Sequence, residues 1–518
     1  MSHEHRLVDG CGFKVFPFGP PFSSFEYVDQ NYGAGYPAIR RIFSLARSLS
    51  AHTLMIEDID PKGIILDEND EIEGYCPGYH MGELQRISFW RSRFGDSQAA
   101  RGKKGCVGYA ILKHDVCPPA GFDQWHIFEA VFEKYPHKHN CVPNPMAYEV
   151  TLGQEKHRIR GLLYAQQNAL NKTCAQVALR SLISRVIGRD VSYREINDFA
   201  RTKSSGTFKP SNGLGVPQIQ AVLDGFKIRF RDFDYNIPAE RYRSKERKRH
   251  PYQKYVYAGV ECGIGALVGF RMLNDQRHII PFYGHTFNKD TWAPDADRAY
   301  FRVTDRLGYI PSEYWTSSFL GHDDNFGPNF CVPRLYVQPA QVEYVVELLK
   351  PGIQFGGAQA EALAIQVLDA VCSRMGSSQN KWLDRLAGYT DPKDGSIVLR
   401  AISMDKERYA RHLSSERDWL NNSEDSQLVD ILKQLMPEKL WVVEVSIPQL
   451  FPANERKLGE IVLNGGLRIS SGKKNHSHFV FARLPGRYFF PDPGPSARNG
   501  FVQWGSRLLS HTPVIRFR

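Results

Sequence analysis

The sequence predicts an α+β protein in three parts, and three observations carry that expectation. Residues 1–155 consist largely of short β-branched and aromatic runs punctuated by Gly, Pro and Asp, the composition of strands and turns. Residues 156–337 place helical periodicities ahead of strand-like runs, and residues 338–518 pass from amphipathic helices back to strands. The expected parts are therefore an N-terminal β-rich domain (1–155), a central mixed domain (156–337) and a C-terminal α+β domain (338–518). A chain of 518 residues exceeds what one hydrophobic core organises.

In the first part the strand runs are residues 53–56, 86–90, 106–112, 125–132 and 148–152, preceded by a helix at about 36–48. Beyond Arg334, apolar residues recur every three or four positions over 339–349, 358–375 and 427–436, which predicts three helices. Strands return at 440–447 and 478–482. No internal repeat or low-complexity tract interrupts the chain.

Composition narrows the class. Hydrophobic residues make up 42% and charged residues 24%, ordinary for a globular protein. No run of eighteen apolar residues occurs, so no membrane span is expected. Residues 1–6 lead into a Gly/Pro/Phe-rich segment without an apolar signal core. Nine cysteines at irregular spacing argue against a disulfide framework and for a reducing, cytoplasmic setting. The net charge of +10 is concentrated in residues 241–254, with seven Lys/Arg and one Glu. A solvated loop is the favoured reading of that segment, and a nucleic-acid patch the alternative.

Cys174 opens the informative stretch. Ala175, Ala178, Leu179, Leu182, Ile183, Val186 and Ile187 share one face at helical spacing, Gly188 ends the helix and Thr173 is a suitable N-cap. A thiol in the first turn meets free backbone N–H groups and the positive end of the helix dipole, which favour the nucleophilic thiolate. Ser192 and Glu195 form a capping box for a second helix, and Pro217 and Gly225 bracket a third. Residues 226–230 alternate like a strand, 255–257 and 263–270 follow, and His278 opens the apolar run 278–284. The order is a cysteine on a helix, two further helices, then a sheet bearing a histidine.

This order and these local sequences resemble the papain-like cysteine peptidase superfamily over residues 160–335, the nearest branch being the peptidases that process double-glycine bacteriocin leaders. The resemblance implies a papain-like core with Cys174 as nucleophile and His278 as base. It also implies an amide donor to the oxyanion. Gln167 is the first candidate, seven residues before Cys174 where the family has six, and Asn168 holds the sixth position. His285 lies an odd seven residues beyond His278, so a regular strand turns the two rings to opposite faces. The orienting acid is expected at Asp324 or Asp323, with Asp295 and Asp297 as alternatives. A plain turn capped by its own side chains is the competing reading of that acidic run.

The implied activity is cysteine-dependent hydrolysis of a peptide or isopeptide bond in a protein or peptide substrate. An acyltransferase or transglutaminase-like enzyme on the same core, and a non-enzymatic interaction protein, are the alternatives. His137, His139 and Cys141, with Cys117, could bind zinc, but irregular flanking sequence argues against it. Gly213 and Gly215 lack the context of a phosphate loop. No cofactor, resident metal or membrane partner is expected.

Overall fold

The computed structural model describes residues 2–3, 14–33, 37–95, 105–133, 140–153, 155–204, 206–236, 250–286, 303–304, 306–375, 381–391, 397–415, 423–451, 455–469, 475–492, 501–505 and 512–515. Its architecture is mixed α+β. The chain divides into two compact units: unit 1 comprises Met1–Ile228, Leu267–Phe282 and Leu320–Val332, and unit 2 comprises Arg229–Ala266, Tyr283–Phe319 and Pro333–Arg518.

Unit 1 begins with β1 (Ser2–His3), β2 (Lys14–Pro17), α1 (Ser24–Tyr32), α2 (Pro37–Ser48), β3 (Thr53–Asp58), α3 (Ile64–Tyr75), β4 (His80–Trp90), β5 (Cys106–Cys117), β6 (Phe122–Glu133), β7 (Asn140–Cys141), β8 (Met146–Leu152) and β9 (Glu155–Tyr164). Eight of the strands form one sheet in the order β1-β8-β9-β6-β5-β4-β3-β2. Neighbours pair antiparallel, except that β1 runs parallel to β8. The five strand runs expected from the sequence fall in β3, β4, β5, β6 and β8.

The sheet is buried on both faces, for different reasons. Leu54, Ile56, Ile87, Phe89, Ala110, Leu112 and Ile127 join Ile39, Ile42, Phe43 and Ala46 of α2 in an apolar core. Residues of opposite parity point the other way, and many are polar yet buried, such as Glu57, Arg86 and Lys113, joined by Glu129 through the register shift between β5 and β6. They are satisfied in pairs: Arg86 Nε and Nη2 donate to Glu57 at 2.9 and 3.0 Å, and the Tyr109 hydroxyl donates to Glu129 at 2.9 Å. Buried charges require such partners. Cys76 and Cys117 form a disulfide, a pairing the irregular cysteine spacing did not suggest. The end of α3 and the end of β5 bring the two sulfurs together.

After β9 come α4 (Cys174–Ile187), α5 (Tyr193–Arg201) and α6 (Val216–Gly225), the three helices predicted. Arg180 anchors α4 to β6 by donating to Glu129 Oε2 and the Phe128 carbonyl, both at 3.1 Å. Farther on, β10 (Phe230–Asp234), α7 (Tyr252–Glu261), β11 (Gly265–Arg271), β12 (Arg277–Thr286), β13 (Ile310–Pro311), β14 (Ser318–Asp323) and β15 (Gly327–Pro333) follow. β11, β12, β14 and β15 are successive neighbours in a sheet, and unit 1 takes the ends of them that hold His278 and Asp323.

Unit 2 continues with β16 (Val342–Leu348), α8 (Gly357–Met375), α9 (Lys381–Tyr389), β17 (Val398–Asp405), α10 (Lys406–Ser415), α11 (Ser423–Leu435), β18 (Lys439–Ser446), β19 (Arg456–Lys457), β20 (Gly459–Asn464), β21 (Phe479–Leu484), β22 (Arg487–Pro491), β23 (Phe501–Gly505) and β24 (Thr512–Pro513). Its main sheet runs β13-β17-β18-β20-β21-β22-β23. Ala364, Leu368 and Val371 of α8 pack on Leu399, Trp441 and Ile461, while Tyr409, Leu413 and Leu432 cover Ile402, Val442 and Val462 on the other face.

Two expectations fail here. Within 339–349 the chain forms a strand, Val342–Leu348, rather than a helix: β16 holds three Val and pairs antiparallel with β10 from Phe230↔Leu348 to Asp234↔Tyr344. Conversely, residues 255–257 lie within α7, which is buried all round and so lacks the one-sided period that marks a surface helix. No described helix is long and apolar enough to cross a membrane.

β9 delivers the chain to the start of α4, and its Gly161 allows close pairing with β6. A Cβ there would stand 2.0 Å from the Phe132 carbonyl oxygen. Gly161→Ala is expected to lower stability by about 1–3 kcal/mol, measured as a drop in the urea midpoint. An unchanged midpoint would show that β9 relaxes freely.

Candidate active site

The segment between β9 and α4 is organised by one side chain. Asn168 Oδ1 accepts hydrogen bonds from the backbone N–H groups of Leu170, Asn171 and Lys172 at 3.0, 3.2 and 3.3 Å. Ala169 takes a positive φ of 58° within this loop. Thr173 then caps the helix, with its N–H and hydroxyl both donating to Gln176 Oε1 at 3.1 and 2.7 Å. Gly188 closes the helix with φ 73°. Cys174 therefore occupies the first helical position, and its side chain is partly exposed.

Beneath the loop lies a buried polar network. Lys172 Nζ donates to Glu68 Oε1 at 2.6 Å, and Lys113 Nζ donates to Glu68 Oε2 at 2.8 Å. Asp115 lies 3.0 Å from Lys113 and accepts from the Tyr79 hydroxyl at 2.8 Å. Asn171 and Asn197 donate to the two oxygens of Glu71 at 2.7 and 3.0 Å. Burial works to raise the Glu68 carboxyl, but the charges of Lys113 and Lys172 outweigh it and hold the group well below the usual carboxylate range. Burial pulls Lys172 down to about 8, against the attraction of Glu68. His126, 3.3 Å from Asp115, is pushed down to about 3, mainly by burial.

The histidine comes from β12 and the acids from the end of β14. Gly321 lets these strands approach closely, since a Cβ there would lie 2.9 Å from the Pro281 carbonyl oxygen. His278 is 7% exposed, with the Phe270 ring edge-on at 5.5 Å between centroids. Its Nε2 lies 3.3 Å from Asp323 Oδ2 and 3.4 Å from Asp324 Oδ1. The Cys174 sulfur, a ring nitrogen of His278 and a carboxylate oxygen of Asp324 all fall within 4.8 Å of one another.

The two carboxylates differ in setting. Asp323 Oδ1 accepts from the N–H groups of Asn325 and Phe326 at 2.9 and 3.1 Å, leaving Oδ2 for the imidazole. Asp324 is 4% exposed, and neither of its oxygens has a hydrogen-bond partner. Burial raises its carboxyl to about 7, although the His278 charge opposes the rise. Burial also disfavours a charged His278, but the Asp323 hydrogen bond, the Cys174 thiol and the nearby carboxylates outweigh it and lift the ring to about 10.

The amide of Gln167 donates to Asn325 Oδ1 at 2.9 Å, joining the pre-helical loop to the acidic turn. The Asn168 amide is committed within its own network, at 3.0 Å from Asn171 Oδ1 and 3.4 Å from Asp115 Oδ2. His285 stands apart, its Nε2 2.7 Å from Glu261. Asp295, Asp297, His137, His139 and residues 241–249 lie outside the described residues. The sequence reading missed Glu68, Lys113, Asp115 and His126, which are spread over α3, β5 and β6. Lys172, a charge two positions before the nucleophile candidate, was the available signal.

Compared with models of known protein families, with characterised proteins and with solved structures, the chain matches none.

The network yields two expectations. Glu68→Gln leaves two buried ammonium groups short of an anion and is expected to cost about 3–5 kcal/mol of stability by urea unfolding; a change near zero would show that water replaces the carboxylate. His126 is neutral in the fold but takes a proton near 6.5 when unfolded. Its contribution is thus complete above 6.5 and is lost as pH falls from there towards 3. Between pH 7 and 5, His126→Gln should therefore lose less stability than the parent, by up to about 1.4 kcal/mol per pH unit. Parallel curves would place the acid sensitivity elsewhere.

Proposed function

We propose that unit 1 is a cysteine-dependent hydrolase that cleaves peptide or isopeptide bonds through a thioester intermediate, on a core of papain-like design. The observation that carries this reading is the joint placement of a partly exposed thiol at a helix N-terminus and a buried imidazole backed by carboxylates. The chain order of helix-borne cysteine, strand-borne histidine and strand-end aspartate supports the papain-like design.

In this mechanism His278 takes the proton of Cys174, and the thiolate attacks the substrate carbonyl carbon. The C–O double-bond electrons move onto oxygen, where the Cys174 N–H and the Gln167 amide stabilise the charge. The first N–H groups of a helix have no intrahelical acceptor, so the Cys174 N–H is suited to that task. Collapse of the intermediate breaks the C–N bond, and His278 protonates the departing amine. Water, deprotonated by His278, then attacks the thioester and releases a carboxylic acid and free Cys174. Asp323 holds the ring in orientation through Oδ2 while two backbone amides hold Asp323.

The test is digestion of a broad peptide and isopeptide-linked library, read by mass spectrometry, with acid quenching to trap an acyl group on Cys174. Products are expected with the parent chain and not with Cys174→Ala. His278→Ala should lower kcat by about 10²–10⁴, and Gln167→Ala by about 10²–10³. Cleavage that survives Cys174→Ala overturns the reading. So does the absence of both cleavage and a Cys174 adduct with peptidyl vinyl sulfones. If an added amine captures the acyl group in preference to water, the enzyme is an acyltransferase on the same machinery.

A further inference from the structure

Asp324 has no evident task in that mechanism. Asp323 already meets the imidazole and is itself anchored by two backbone amides. A second carboxylate 3.4 Å from the same ring nitrogen adds nothing to its orientation. Yet Asp324 is almost fully buried, with both oxygens lacking a hydrogen-bond partner, a costly arrangement for a polar group. The His278 ring stands 3.4 Å away without hydrogen-bonding it, and a cation that accepts oxygen donation would satisfy it.

We propose that Cys174, His278 and Asp324 form a binding site for a soft divalent cation of the zinc class, and that its occupancy blocks the thiol. Sulfur, imidazole nitrogen and carboxylate oxygen are the donor set that zinc favours. Tetrahedral bonds of about 2.0–2.3 Å set ligand atoms roughly 3.3–3.8 Å apart. The His278–Asp324 separation of 3.4 Å meets that spacing, and the 4.8 Å limit on the three donor atoms leaves a closure of about 1.5 Å at most, within the reach of side-chain rotation. Three protein ligands leave a fourth position for water. Binding itself is independent of the hydrolase reading; only the inhibitory consequence rests on it. A thiolate coordinated to zinc has its lone pair engaged and cannot attack a carbonyl, so the cation would hold the enzyme inactive until chelated or displaced.

The experiment titrates cobalt(II) into the full chain and follows thiolate-to-cobalt charge-transfer absorption. One saturable equivalent is expected, displaced by zinc. The band should be absent in Cys174→Ser and retained in Cys331→Ser, which removes an exposed free cysteine. Asp324→Asn, which preserves shape, should weaken affinity by roughly tenfold or more, with circular dichroism confirming its fold. Zinc should also protect Cys174 from iodoacetamide, and a chelator should restore labelling. No band, a band that survives Cys174→Ser, or unchanged affinity in Asp324→Asn overturns the proposal. Hydrolysis without a cobalt band would defeat this inference alone, and a band with neither hydrolysis nor a vinyl sulfone adduct on Cys174 would defeat the functional reading alone.

Discussion

The site depends on the close approach of the Cys174 sulfur to the His278 ring, within 4.8 Å of a ring nitrogen. Each partner alone would be ordinary: a partly exposed cysteine, and a buried histidine. Together, with carboxylates at 3.3 and 3.4 Å from Nε2, they make a place where a proton can leave sulfur and be held nearby. Burial of the ring opposes its charge, and the Asp323 hydrogen bond and the Cys174 thiol reverse that effect. Removing the acids would leave the imidazole governed by desolvation.

The rest of unit 1 can be understood as what holds that meeting in register. One face of its main sheet is an apolar core of common type, while the other buries charge. The polar side supports the loop before Cys174: Asn168 ties three successive N–H groups, and Lys172 is fixed on Glu68. Buried ion pairs contribute little net stability compared with apolar packing, but breaking one is expensive. Such a network therefore suits positional control better than bulk stabilisation. On the opposite side, the close approach at Gly321 and the Gln167–Asn325 hydrogen bond fix the acidic turn to the same loop.

Local signals were legible in the sequence. The N-cap at Thr173, the glycine at 188 and the apolar spacing between them located α4, because capping and periodicity act over a few residues. The strand runs of the first part were equally readable from their β-branched and aromatic content. Non-local relations were not. Unit 1 is assembled from three separated stretches, and Glu68 reaches Lys172 across more than a hundred positions. Asp323 and Asp324 were equivalent as letters, and only the amides of Asn325 and Phe326, folding back on one of them, make the two differ. The strand at 342–348 misled because its apolar residues fit a helical spacing while its β-branched content and pairing favour a sheet. Gln167 and Asn168, left open by spacing, separate on partners: one amide bridges to Asn325, the other is consumed by its own loop.

The most direct test of the central claim compares iodoacetamide labelling of Cys174 with that of the exposed Cys331, in native chain and in His278→Gln. An ordinary thiol is only a few per cent ionised at neutral pH, so one activated by an imidazole should react roughly tenfold faster or more. The account predicts that Cys174 outpaces Cys331 and loses that advantage in His278→Gln. Cys174 that stays unlabelled in the native chain, or reacts equally fast with and without His278, would contradict it.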